Sequence, residues 1–254
     1  MPSATLQSSL NCQLTPPCPR LRIVAVVLAA GTASRMGGRP KCLLQRDGQT
    51  LLNRLLTALE TAGIDETVLV LGHKADTIQA SLSTRVHATL RRPHLPPMQI
   101  HQVLNPQPTD GQNSSLHLGL AKAQSLQAQW LMVALADQPL LDVADLQALI
   151  AAVKASPAGT QMLQPWVENQ PGNPVMLSQK VMFDLLTQAQ QASVSGSTAS
   201  KDLPGGKEWR QRHPQQAHQW ATSNPHYRVD MDTLEDIQAL QTKYGVELTW
   251  DTPI

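Results

Sequence analysis

From position 23 onward, apolar residues alternate between two kinds of pattern. Ile23 to Leu28 is an unbroken aliphatic run, the pattern of a strand covered on both faces. Leu51 to Ala62 has apolar residues at 51, 52, 55, 56 and 59, a helical period that Gly63 ends. Thr67 to Leu71 repeats the buried-strand pattern, and Gly72 leads into a helical stretch near Ala75 to Leu82. Ile100 to Leu104 alternates as a third strand, Ser114 to Ala123 fits a helix, and Trp130 to Ala136 is a fourth strand. Asp142 to Val153 is an amphipathic helix with Asp142 as its N-cap. Strand–helix alternation of this kind predicts a mostly parallel sheet with helices on both faces.

Further along, the pattern loosens. Gln161 to Gln164 and Pro174 to Leu177 predict short strands, and Lys180 to Ala189 a helix. Residues 190–225 are rich in Ser, Gln, Gly and Pro with few apolar anchors, which predicts an irregular loop. Order returns at Tyr227 to Met231, before a helix from Thr233 to Tyr244. Residues 1–20 have nothing to bury and predict a flexible tail, leaving 21–254 as a single domain.

Composition narrows the function classes. With 20 Lys+Arg against 19 Asp+Glu the net charge is +1, which argues against a general nucleic-acid binder. Hydrophobic residues at 41% suffice for a core. The run Ile23 to Ala30 is far short of the roughly 20 apolar residues that span a bilayer, so no membrane association is expected. Cys12, Cys18 and Cys42 show no C-x-x-C or metal-ligand spacing and fit reduced thiols in a cytoplasmic protein. The eight histidines form no H-x-x-H pattern.

Candidate chemistry lies at the ends of the predicted strands. After the first comes Leu28-Ala29-Ala30-Gly31, then Arg35-Met36 and Pro40-Lys41. Small residues there let backbone N–H groups approach an anion, and Arg35 and Lys41 add two cations suited to a triphosphate. Neither a P-loop nor a G-x-G-x-x-G fingerprint is present. Taken alone, the string also fits a solvated basic turn. Leu135-Ala136-Asp137-Gln138-Pro139 puts a carboxylate at the C-terminal rim of the sheet, where open α/β sheets bind ligands; the same Asp could cap a turn. In Val229-Asp230-Met231-Asp232, two acids at i, i+2 of a strand would face one cation, while Thr233 and Asp236 fit a helix start. Gly111, Ser114 and Ser115 place hydroxyls and free N–H groups at a helix N-terminus, a ribose or anion site or a plain cap.

Together these strings resemble the MobA-like nucleotidyltransferase family, closest to its molybdenum cofactor (molybdopterin) cytidylyltransferase branch. The resemblance implies a Rossmann-like three-layer α/β/α fold of the nucleotide-diphospho-sugar transferase type. It implies that Leu28, Ala29, Ala30 and Gly31 wrap the nucleotide and that Arg35 and Lys41 engage its phosphates. It further implies nucleotide contacts at Gly111, Ser114 and Ser115, and Mg²⁺ held by Asp137 and Asp232, with Asp230 as second choice. The L-A-A-G form is similar to the CTP-using branch; the GTP-using branch tends to L-A-G-G. Pro171-Gly172-Asn173-Pro174-Val175 resembles an acceptor-side element and makes Asn173 a candidate. The family's G-D-x-G-A-R segment, expected to face the acceptor phosphate, is altered across Gly196 to Lys207, leaving Lys201 and Lys207 (and Arg210 beyond) as acceptor candidates or as a solvated basic loop. The implied reaction moves CMP from CTP to the phosphate of molybdopterin or molybdenum cofactor, with a molybdenum hydroxylase as possible client. GTP, another phosphorylated acceptor, and a non-catalytic nucleotide-binding accessory role stay open on sequence grounds.

Overall fold

The computed structural model describes residues 21–31, 34–82, 96–194 and 203–250. The expected tail and Lys201 lie outside the described residues. The chain begins with β1 (Ile23–Ala29). A small antiparallel pair, β2 (Gln45–Arg46) and β3 (Gln49–Thr50), precedes helix α1 (Leu51–Ala62). There follow β4 (Glu66–Leu71), α2 (Ala75–Leu82), β5 (Gln99–Leu104), α3 (Gln112–Ser125), β6 (Trp130–Leu135) and α4 (Val143–Lys154). The remainder comprises β7 (Met162–Val167), β8 (Gln170–Pro171), β9 (Val175–Ser178), α5 (Gln179–Val194), α6 (Gly206–Arg212), β10 (Ala217–Ala221) and α7 (Leu234–Tyr244).

The main sheet runs β10-β7-β9-β6-β1-β4-β5, with β8 paired to β7. Strands β6, β1, β4 and β5 are mutually parallel; β9 runs antiparallel to both β6 and β7, and β10 is parallel to β7. This is the mostly parallel, helix-flanked sheet that the alternation predicts. Strand β1 explains the layering by itself. Ile23, Ala25, Val27 and Ala29 face a core completed by α1 and α4, whereas Val24, Val26 and Leu28 face one completed by α3 and α5. Helix α1 has the predicted limits. Thr50 accepts from the Asn53 N–H at 3.1 Å to cap its start, and Gly63, at φ 104°, ends it in the left-handed region.

The irregular loop expected over 190–225 is corrected in its described part. Helix α5 continues to Val194, α6 and β10 occupy much of 206–221, and β10 extends the sheet beside β7. One anchor, Trp209, makes the difference. It is fully buried, donates through Nε1 to Asp184 Oδ2 at 3.1 Å, and stacks on His213 at 4.4 Å. The strand expected near Asp230 and Asp232 is also corrected. Val229–Asp232 has no sheet partner, yet buried Met231 separates two exposed acids, so the alternation survives. Among the described residues no helix is long and apolar enough to cross a membrane.

Candidate active site

Three chain segments meet at the C-terminal rim of β1 and β6. The loop after β1 contributes Gly31, Arg35 and Lys41; the turn after β6 contributes Asp137; the segment before α7 contributes Asp232. Their side chains and backbone, with Leu28, Ala29 and Cys42, line one open cavity of about 290 Å³. The last two segments are tied by the backbone, since Met231 N–H donates to Asp137 O at 3.1 Å. Asp232 is set by the start of α7, where the Asp236 carboxylate accepts from the Asp232 N–H at 2.8 Å and from the Thr233 N–H at 2.7 Å. The predicted helix-start pattern is therefore real, and it also orients an acid at the rim.

Charge in this cavity is closely balanced. The Lys41 ammonium pairs with Asp232 and lies 3.7 Å from Asp137 Oδ2, while Arg35, largely exposed, reaches Asp232 Oδ2 at 3.8 Å. Burial pushes the Asp137 carboxyl up to about 6, against the pull of Lys41 and with the repulsion of Asp230 and Asp232. Asp230 is raised too, by burial first and then by Asp232. Burial, and then Asp137, pushes the Cys42 thiol up to about 12, so its place in the lining supplies no nucleophile.

The donors suit a hard cation, because all are carboxylate oxygens and Asp137 Oδ1 is buried without a hydrogen-bond partner. In this structure, however, the Lys41 ammonium stands between Asp137 and Asp232. Among the described residues, the ligating atoms that do converge within 4.8 Å belong to Asp142, Asp145 and His226. That cluster is a helix cap with its oxygens in use. Asp142 Oδ1 accepts from the Asp145 N–H, Asp145 Oδ2 accepts from the Asp142 N–H and meets His226 Nδ1 at 2.9 Å, and Asp145 Oδ1 accepts from Asn224.

Other expected residues lie elsewhere. The Ala30 methyl is turned toward Gly72, where an added Cβ would stand 2.8 Å from it, and Ala30 is not among the cavity's lining residues. Ser114 and Ser115 are buried, and the Asn105 amide donates to both hydroxyls at 2.9 Å. Ser114 in turn donates to Gly111 O at 2.8 Å. These three residues fasten α3 to the end of β5, and the first turn of α3 aims Gln112, Asn113 and Leu116 into a second cavity.

This second cavity, about 440 Å³, shares Leu28 with the first. Its floor is apolar (Leu116, Val133, Met162, Val175, Leu177), and Asn173, Lys207 and Arg210 stand in its walls. Two acceptor candidates, Asn173 and Lys207, are thus brought together. Arg210 is pinned by Gln164, whose Nε2 donates to Gly172 O at 3.0 Å, and lies over the Trp166 ring at 5.4 Å. Asn113 donates to Leu203 O at 2.7 Å, and His117 Nε2 meets Pro204 O at 2.8 Å, holding the lip at 203–205 against α3.

Sequence reasoning assigned no role to Gln138. It ties the Asp137 turn to the Asn173 and Tyr227 segments, with Nε2 placed 3.3 Å from Asn173 O and 3.4 Å from Tyr227 O. The only sequence signal was its place after Asp137. Asn105 was missed as well, because nothing in the string before the helix marks it as the partner of Ser114 and Ser115, nine and ten residues on.

The family model described as "MobA-like NTP transferase domain" matches residues 25–204. Nicotine blue oxidoreductase of Paenarthrobacter nicotinovorans is 29% identical over 74% of this chain and 83% of its own length. The bifunctional protein GlmU of Synechococcus sp. (strain CC9311) is 28% identical over 59% of this chain but only 30% of its own length. Among solved structures, Rv0371c of Mycobacterium tuberculosis H37Rv in complex with manganese superposes with a TM-score of 0.59 at 24% identity, covering 87% of this chain and 99% of that one. The paired cavities, the cation-bearing loop and the family match over most of the ordered sheet agree: this chain belongs to the MobA-like NTP transferase domain family, the nucleotidyltransferases.

Proposed function

We propose that this chain is a molybdenum cofactor cytidylyltransferase, moving CMP from CTP to the phosphate of molybdopterin or molybdenum cofactor. The observation that carries the reading is the pair of adjoining cavities, one lined by Gly31, Arg35, Lys41 and Asp137, the other by Asn173 and Lys207. An oxygen of the acceptor phosphate attacks the α-phosphorus in line, a P–O bond forms, the bond to the β-phosphate breaks, and pyrophosphate leaves. Arg35 binds the leaving phosphates. Lys41 exchanges its carboxylate partners for the α-phosphate, which frees Asp137 and Asp232 to face a cation. Mg²⁺ arriving with the nucleotide would neutralise phosphate charge, with Asp137, Asp232 and Asp230 as its holders. Asn173, Lys207 and Lys201 are the acceptor-side groups. Catalysis of this kind rests on positioning and charge rather than on covalent chemistry.

The proposal extends to a cytoplasmic setting and to a molybdenum hydroxylase that receives the product. A second reading, another phosphorylated small molecule as acceptor, is supported by the apolar floor of the second cavity and by the altered segment before Lys207, and GTP as donor stays the alternative to CTP.

The test is pyrophosphate release from CTP and from GTP separately, with Mg²⁺ and molybdenum cofactor, against Asp137→Ala. CTP-dependent release that the variant loses supports the reading. Release with GTP alone, or with neither nucleotide, overturns it, and CTP binding without release would leave a non-catalytic accessory.

A further inference from the structure

A third hydrophobic cluster, separate from the two that flank the sheet, gathers residues from the three segments that form the first cavity. Each site segment sends one or more apolar side chains into it. Met36 and Leu44 flank Lys41 on the loop after β1, Leu140 follows the Asp137 turn, and Met231 precedes Asp232. Leu240 of α7 and Leu248 complete it. Each buried apolar residue stands within a few positions of a charged one, so this cluster sets where Arg35, Lys41, Asp137 and Asp232 stand relative to one another.

Leu248 belongs to a short segment that Gly245 turns back on α7, at φ 65°. That segment grips the loop from outside. Gln45 N–H donates to Thr249 O at 2.8 Å and Thr249 N–H donates to Gln45 O at 3.0 Å, while the Trp250 ring lies under the Arg39 guanidinium at 4.3 Å. A backbone pair alone would fix only position 45. The cation–π contact reaches further back, to the stretch between Arg35 and Lys41. Gly37 and Gly38, both at positive φ, make that stretch easy to deform, and so in need of an external hold.

We propose that residues 245–250 are a strap that positions the cation-bearing loop, with Trp250 as a positioning residue for nucleotide binding. The proposal rests on reading the first cavity as the nucleotide site. Trp250 lines no part of that cavity, so its effect is on the loop and not on contact with substrate.

The experiment compares wild type, Trp250→Ala and Trp250→Phe in steady-state pyrophosphate release, with whichever nucleotide the wild type turns over. In parallel, native protein is digested with trypsin and cleavage after Arg35 and Lys41 is followed. Trp250→Ala should lower kcat/KM for the nucleotide about tenfold or more with the acceptor KM within a factor of about two, because Arg35 and Lys41 hold the nucleotide's phosphates. It should also speed cleavage at those two bonds about tenfold, and Trp250→Phe should restore both. A lower melting temperature with unchanged kcat/KM for the nucleotide and unchanged cleavage would reduce Trp250 to ordinary packing and overturn the proposal. If the wild type binds no nucleotide, the reading of the cavity fails, and the tryptic comparison still decides for or against the strap.

Discussion

Asp137 concentrates the tension of the site. Its carboxyl is raised to about 6 chiefly by burial, so the folded protein prefers it protonated. The stability that protonation contributes is fully present below the unfolded-state value near 4 and is lost as pH rises through about 6. Asp137→Asn, which removes the charge but keeps the shape, should therefore be more stable than wild type by about 1–3 kcal/mol above pH 7, and the advantage should shrink toward zero near pH 4. Lys41 keeps Asp232 as its partner in that variant, so no orphaned cation offsets the gain. Thermal unfolding at pH 4, 5.5 and 8 measures this; a variant less stable than wild type at pH 8 would contradict it. Loss of activity alongside gained stability is the expected trade-off at a site built around a buried charge.

At the scale of elements, α3 carries part of the second cavity and docks on the sheet. Its Gly119 sits against β1 and β4, where an added Cβ would stand 2.4 Å from Val26 Cγ1 and 3.2 Å from Val70 Cγ2. Alanine would gain about 1 kcal/mol in helix propensity but force the helix off the sheet, so Gly119→Ala should cost about 1–3 kcal/mol net. Urea unfolding gives the sign directly, and a stabilised variant would mean that α3 sits less tightly than these distances require. The same helix shows why sequence reasoning placed Ser114 and Ser115 at the nucleotide. A helix N-terminus with two hydroxyls fits both a ligand site and a fastening, and only Asn105 reveals that both hydroxyls are already taken.

At the scale of the whole molecule, β6, β1 and β4 were legible because strands buried on both faces must be continuously apolar, and the edge strand β5 was legible from its alternation. Strand β10, Ala-His-Gln-Trp-Ala, has no such signal; it is held at the edge by pairing with β7 and by the packing of Trp220 on Tyr227. The candidate site divides in the same way. Gly31, Arg35, Lys41 and Asp137 come from short strings at strand ends, and the structure brings them to one cavity. Gln138's bridge and the Gln164–Arg210 contact join residues far apart in the chain and could not be found from local pattern. Because the first cavity draws on three separate segments, ligand there should stabilise the fold as a unit. At a concentration near 100 times its Kd, CTP with Mg²⁺ should add about 2.7 kcal/mol, read as a melting temperature about 5–10 °C higher. GTP at the same concentration should add less. Equal shifts would remove the preference for CTP.

At one point near Gln138 the chain departs and returns. Asn173 N–H donates to Tyr227 O at 2.7 Å, so everything between them, including β9, α5, α6 and β10, is a detour whose two ends are stapled together beside Asp137. Such a detour can be exchanged like a tool head on a fixed handle. Provided that β9 still pairs with β6 and the staple closes, then, on the proposed reading of the second cavity as the acceptor side, a different excursion would alter which molecule receives the nucleotidyl group while the grip on the donor stays where it is.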